Sequence, residues 1–109
     1  MTFYLVKDDN APQVKATITR EDDGSIVDLT GCTVVLKFRK KDSTTILFTL
    51  NGINEPSTNY EKGIVLFNFG ETDLDLDAGY YEGEIEITYP AGAVETVYEL
   101  LNFKLRADF

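Results

Sequence analysis

Apolar and polar residues alternate along most of this chain, and a period of two predicts strands rather than helices. Across Gln13 to Arg20, Val14, Ala16 and Ile18 alternate with Lys15, Thr17 and Thr19. Across Cys32 to Lys40, Cys32, Val34, Leu36 and Phe38 face one way and Thr33, Val35, Lys37 and Arg39 the other. Ile64 to Phe69 sets Val65, Phe67 and Phe69 on one side, and Tyr80 to Tyr89 sets Ile85, Ile87 and Tyr89 against Glu82, Glu84 and Glu86. Phe3 to Lys7 and Thr45 to Leu50 are two further short apolar runs. The apolar member of each set is the expected core.

Turn residues punctuate these runs. Glu21-Asp-Asp-Gly-Ser25 and Lys41-Asp-Ser-Thr44 are polar turns, and Asn51-Gly52 predicts a tight one. Ile26 to Gly31 is a short extended piece. Asn54 to Gly63 carries Pro56, Ser57, Thr58 and Asn59 and is the segment with the weakest structural signal. Pro90-Ala-Gly-Ala93 predicts a hairpin that pairs Tyr80–Tyr89 with Val94–Arg106. Leu100, Leu101 and Leu105 also suit a helix, but the segment has no N-cap and carries β-branched and aromatic residues throughout. A strand with an irregularity near Leu100-Leu101, where the alternation slips by one, fits better. About seven to eight short strands with regular turns make an all-β sandwich. At 109 residues it is expected to form one domain, 1–109, burying roughly two-thirds of its unfolded surface.

Charge and chemistry narrow the function. Ten basic against nineteen acidic residues give a net charge of −9, and the basic residues are scattered, which argues against nucleic acid as a partner. No apolar run reaches the length of a membrane helix, and the N-terminus lacks the pattern of a signal peptide, so no membrane partner is expected. There is no histidine, which removes the usual general base, the histidine-containing triads and His-ligated zinc. Cys32 stands alone and reads as a small core residue. Asp73, Asp75, Asp77 and Glu84 have the spacing of a calcium loop, yet Ala78 occupies the position that needs glycine and a strand follows. The reading is accordingly no enzyme, no cofactor and no metal. Glu82, Glu84 and Glu86 are either a solvated sheet face or an acidic docking face. Tyr4, Tyr60, Tyr80 and Phe109 are too many for one core, so some of them offer exposed contact area, and Arg106 to Phe109 is a small anchor or a frayed end. The candidate interface is Tyr4, Tyr80, Glu82, Glu84 and Glu86.

Several segments, taken in order, carry a resemblance. Asp8-Asp-Asn-Ala-Pro12 leads into Gln13-Val-Lys-Ala-Thr-Ile-Thr19, then Gly24-Ser-Ile-Val-Asp-Leu-Thr-Gly31, then Thr33-Val-Val-Leu-Lys-Phe-Arg39. Gly63-Ile-Val-Leu-Phe-Asn-Phe69 and Asp77-Ala-Gly-Tyr-Tyr-Glu-Gly-Glu-Ile-Glu-Ile87 follow. This order resembles the N-terminal domain of phage baseplate upper proteins, over nearly the whole chain. The resemblance implies an immunoglobulin-like antiparallel β-sandwich and a structural, non-enzymatic role in a virion. Other virion proteins would then be the partners, with several copies in the assembled particle after synthesis in the host cytoplasm. Baseplate upper proteins continue past this domain whereas the chain ends at Phe109, so a baseplate, tail or neck accessory, or a capsid decoration, is expected. Asp77-x-Gly79-x-Tyr81 also resembles the turn before the F strand of immunoglobulin domains, which implies that the Tyr81 hydroxyl bonds backbone upstream. Gly83 stands where antibody domains have cysteine. The second functional reading is a carbohydrate-binding module, weakened by the absence of Trp, the preferred residue for stacking on sugars.

Overall fold

The computed structural model describes residues 2–20 and 22–109. Its strands are β1 (Thr2–Val6), β2 (Gln13–Thr17), β3 (Thr33–Lys40), β4 (Ile46–Asn51), β5 (Ile64–Asn68), β6 (Gly79–Thr88), β7 (Val94–Thr96) and β8 (Leu101–Arg106). One helical turn, α1 (Thr58–Glu61), lies between β4 and β5. The larger sheet runs β1-β8-β6-β3-β4 with β7 also on β6, and the smaller sheet pairs β2 with β5. The fold is all-β and sandwich-like, as the alternation predicts. Among the described residues pairing is antiparallel with one exception: β1 runs parallel to β8. That departure from a purely antiparallel sandwich is available because nearly the whole chain separates the two strands, and a parallel pair needs a long crossover.

The predicted inward sets are the buried ones. Val14, Ala16 and Ile18, then Val34, Leu36 and Phe38, then Val65, Phe67 and Phe69, then Ile85 and Ile87 join one cluster, with Cys32 and Tyr89 packed against it. Phe38 is its centre, stacked on Phe48 at 4.6 Å and Tyr81 at 5.3 Å, tilted against Phe103 at 5.0 Å and meeting Phe69 edge-on at 6.0 Å. Gly83 lies directly across from Phe38. A Cβ there would sit 2.6 Å from Leu36 Cδ1 and 3.0 Å from Phe103 Cε2, so the absence of a side chain is what lets these rings close together.

Three local expectations change. Asn51-Gly52 is not a tight turn. The Gly52 N–H donates to Val34 of the larger sheet at 2.7 Å, and the next N–H, of Ile53, donates to Leu66 of the smaller sheet at 2.8 Å. The strand thus crosses from one sheet to the other. A Cβ on Gly52 would lie within 3 Å of the Tyr60 hydroxyl, Val65 and the Val34 carbonyl, which explains glycine at the crossing. Tyr60 is core rather than surface, because α1 turns it inward from the segment that reads as least structured. The closing strand is broken into β7 and β8, which pair with different halves of β6, and the irregularity falls at 97–100, slightly before Leu100-Leu101. The short extended piece 26–31 serves as a plug: Ile26 only bridges Thr19, while Val27 and Leu29 are buried. Of the polar turn at 21–25, Glu21 lies outside the described residues.

The V-D-L-T-G segment now has a physical reason. The Asp28 carboxylate accepts the Thr30 N–H at 2.9 Å and its hydroxyl at 2.6 Å, a local turn that holds Val27 and Leu29 inward. The same bonds hold the Asp28 carboxyl below its ordinary acidity range. The Leu29 N–H reaches the Tyr60 carbonyl at 2.8 Å and ties the plug to α1.

Candidate functional site

Strand β6 presents two faces. Inward go Tyr81, Gly83, Ile85 and Ile87, all buried; outward go Tyr80, Glu82, Glu84 and Glu86. The two adjacent tyrosines therefore part company. The Tyr81 hydroxyl donates to the Asp77 carbonyl at 2.6 Å, bonding backbone upstream as the D-x-G-x-Y pattern implies. Burial pushes its phenol above the ordinary range, and the Asp77 charge adds to that. Tyr80, 54% exposed, stands on the outer face of the larger sheet.

The strand order brings Tyr80 to Tyr4. Lys104 on β8 is the Cα partner of both Tyr4 on β1 and Tyr80 on β6, so the three side chains form one row. Tyr4 is 77% exposed. The Lys104 ammonium lies 5.5 Å from the Tyr80 ring centre and that of Lys41 lies 5.9 Å from it. Each is within the range where the ring's negative face attracts a cation. Tyr4, Val6, Lys104 and Arg106 line a shallow depression beside this row. Beyond it, Arg106 sits 4.8 Å from the fully exposed ring of Phe109.

The glutamates continue from Tyr80 on the same face, so all five candidate interface residues share one surface. Two of the glutamates are engaged within the sheet. Glu86 accepts a 2.8 Å bond from Lys37, and Glu82 lies 3.4 Å from Arg39 Nε. Their side chains are 26% and 12% exposed. The Glu86 carboxylate holds Lys37 above the ordinary lysine range. The face is therefore a charge-paired strip, Lys37 and Arg39 on β3 against the glutamates of β6, which ends in an aromatic and cationic row. Local pattern could place Lys104 on the outer face. It could not place it between two tyrosines, because that depends on β8 lying between β1 and β6.

The other candidates lie apart from this face. Asp75 pairs with Lys7 at 3.2 Å, and the Asp73 carboxylate accepts the Gly70 N–H at 2.6 Å. Among the described residues no group of three or more acidic, Cys or His side chains is arranged to hold a metal ion. A cleft of about 410 Å³ opens between Thr17–Arg20 and the 95–99 segment. It is floored by Ile18, Val27 and Ile87 and rimmed by Arg20, Asp22, Glu95, Glu99 and the exposed Tyr98. Tyr98 escaped the sequence reading because it falls in the irregularity between β7 and β8. Among the described residues no helix is long and apolar enough to cross a membrane.

The molecule is an all-β sandwich with an acidic overall charge and an exposed aromatic row. The chain belongs to the BppU N-terminal domain family, the N-terminal domain of the baseplate upper protein, which matches residues 3–108. That family places it among phage baseplate structural proteins, and so among components of the virion that work with other virion proteins. No curated protein matches the chain. Among solved structures it is similar to CopC from Methylosinus trichosporium OB3b, at 8% identity and a TM-score of 0.52. That alignment covers 97% of this chain and 84% of the other, a likeness of fold alone.

Proposed function

We propose that this chain is a non-enzymatic baseplate module that docks on neighbouring virion subunits through the outer face of its larger sheet. Membership of the baseplate upper protein family across residues 3–108 carries the reading. The geometry suggests where contact occurs. Tyr4 and Tyr80 supply exposed aromatic area around Lys104, the kind of surface that anchors interfaces. Glu84 and the partly covered Glu82 and Glu86 form the polar rim, which acts on encounter rate and register more than on affinity. Several copies would assemble about a symmetry axis of the particle.

The test is a phage carrying Tyr4→Ala and Tyr80→Ala together. The variant is expected to fold normally and to be depleted from purified particles by at least about tenfold in quantitative mass spectrometry. Normal incorporation would sink the assignment of this face, and absence of the wild-type chain from particles would sink the reading as a whole. Tyr98 beside a polar cleft favours one second reading, a carbohydrate site. A glycan array with the wild type and Tyr98→Ala separates the two.

A further inference from the structure

The larger sheet ends at β4, and this edge is the longest uncharged one among the described residues. From Ser43 to Asn54 the chain carries no charged residue at all, within a protein of net charge −9. Exposed strand edges are usually protected by charge, brevity or a covering segment. Strand β7 is three residues long and contains Glu95, β2 carries Lys15, β5 is bridged on its outer side by Ile53, and the uncharged five-residue β1 runs directly into Lys7, Asp8 and Asp9. Strand β4 has six residues, no proline, and Ile46 and Leu47 exposed at 48% and 44%. A single irregularity opposite Phe38/Arg39 leaves Phe48 to Asn51 as regular ladder.

The unpaired main-chain groups can be named. The Gly52 N–H donates to Val34, and Leu50 and Phe48 stand opposite Leu36 and Phe38 in the same register. Antiparallel strands alternate the direction of their main-chain groups, so Gly52, Leu50 and Phe48 bond inward to β3. Thr49 and Asn51 therefore direct their N–H and C=O groups away from the sheet, and β4 has no other strand partner among the described residues.

We propose that this edge pairs with the same edge of a second copy, joining two larger sheets into one continuous sheet. The occupant follows from charge and symmetry. Two molecules of like charge repel over most of their surfaces, and this stretch is where a copy meets no charge on the strand itself. The neighbouring cations Lys37 and Arg39 are already matched by Glu86 and Glu82. An antiparallel edge is also self-complementary: a two-fold axis beside Leu50 sets the outward groups of Thr49 against those of Asn51 of the copy, and those of Asn51 against Thr49. Leu47, three residues from the axis, then lies beside the end of the facing strand. The inference stands on the free edge and does not depend on the docking face proposed above.

Sedimentation velocity of the purified chain, from micromolar to millimolar concentration, is the test. A monomer–dimer equilibrium is expected, with the Thr49 and Asn51 amides protected from hydrogen exchange only in the dimer. Added salt should strengthen the dimer by screening the repulsion between copies. Thr49→Pro deletes an N–H that points away from the sheet, a position where an edge strand tolerates proline. It should weaken association by at least about tenfold while leaving the melting temperature close to that of the wild type. Should that variant unfold, Leu47→Lys carries the same expectation by setting a charge on each copy. A protein that stays monomeric at millimolar concentration overturns the proposal. So does a dimer that salt weakens, or one indifferent to the folded variant.

Discussion

The two faces of β6 are built from interleaved residues yet do separate work. On the inner face Tyr81, Gly83, Ile85 and Ile87 are closed against the aromatic cluster, and the one polar atom there, the Tyr81 hydroxyl, is bonded to Asp77. On the outer face Tyr80 is open to solvent and the glutamates meet Lys37 and Arg39. Neighbouring residues of one strand can thus be changed with opposite consequences: inner substitutions act on stability, and outer ones on contact with other molecules.

The largest effect is expected at Gly83. Gly83→Val forces a side chain into the space held by Leu36 and Phe103, and overpacking of this kind should cost about 3 kcal/mol in a urea titration. Next comes Tyr81→Phe. It keeps the ring and deletes the bond to Asp77, so a loss of about 1 kcal/mol is expected, a fall of roughly 4–8 °C in melting temperature. That substitution also sharpens the pH behaviour. The folded state raises the Tyr81 phenol above its ordinary value of 10.0, so it favours the protonated form. The associated stability is fully present below the unfolded value and is lost as pH rises through the folded one. Tyr60, Tyr89 and Lys37 shift in the same direction. Burial also raises the Cys32 thiol above 9.0, so melting temperature should stay level in this respect up to about pH 9 and fall beyond it, less steeply above about pH 10 in Tyr81→Phe than in the wild type.

On the outer face the changes in stability should be small. Glu86→Gln removes the pair with Lys37, whose side chains are 29% and 26% exposed, and should cost about 1 kcal/mol, less at high salt. Tyr80→Ala should move stability by no more than about 0.5 kcal/mol. If Tyr80→Ala proved as destabilising as Tyr81→Phe in the same melts, the division between the two faces would fail.

Much of this was legible in the sequence because strand alternation is local. The sets around Val14, Val34, Val65 and Ile85 each point inward as their spacing predicts, since successive side chains of any strand must alternate. The corner bond of Tyr81 came instead from the resemblance of D-x-G-x-Y to the turn before the F strand of immunoglobulin domains. Tyr60 was not legible. Its burial depends on one helical turn meeting a strand that changes sheets at Gly52, and neither leaves a periodic trace. The candidate face was half legible. Alternation could assign Tyr80 and the glutamates to one side of β6. The neighbours that change their meaning, Lys104 between the tyrosines and Lys37 and Arg39 against the glutamates, come from strands brought alongside by long-range pairing.

The parallel pairing of β1 with β8 has a mechanical consequence. Thr2 stands beside Asn102 and Val6 beside Arg106, so the chain enters at one end of the pair and leaves at the other. Tension applied through those two strands pulls them past each other along their length. The hydrogen bonds between them then share the load side by side, whereas an antiparallel terminal pair would be peeled apart one bond at a time. A module of this build resists stretching along β1 and β8. Single-molecule pulling in that direction should need more force than pulling across the β3–β4 hairpin.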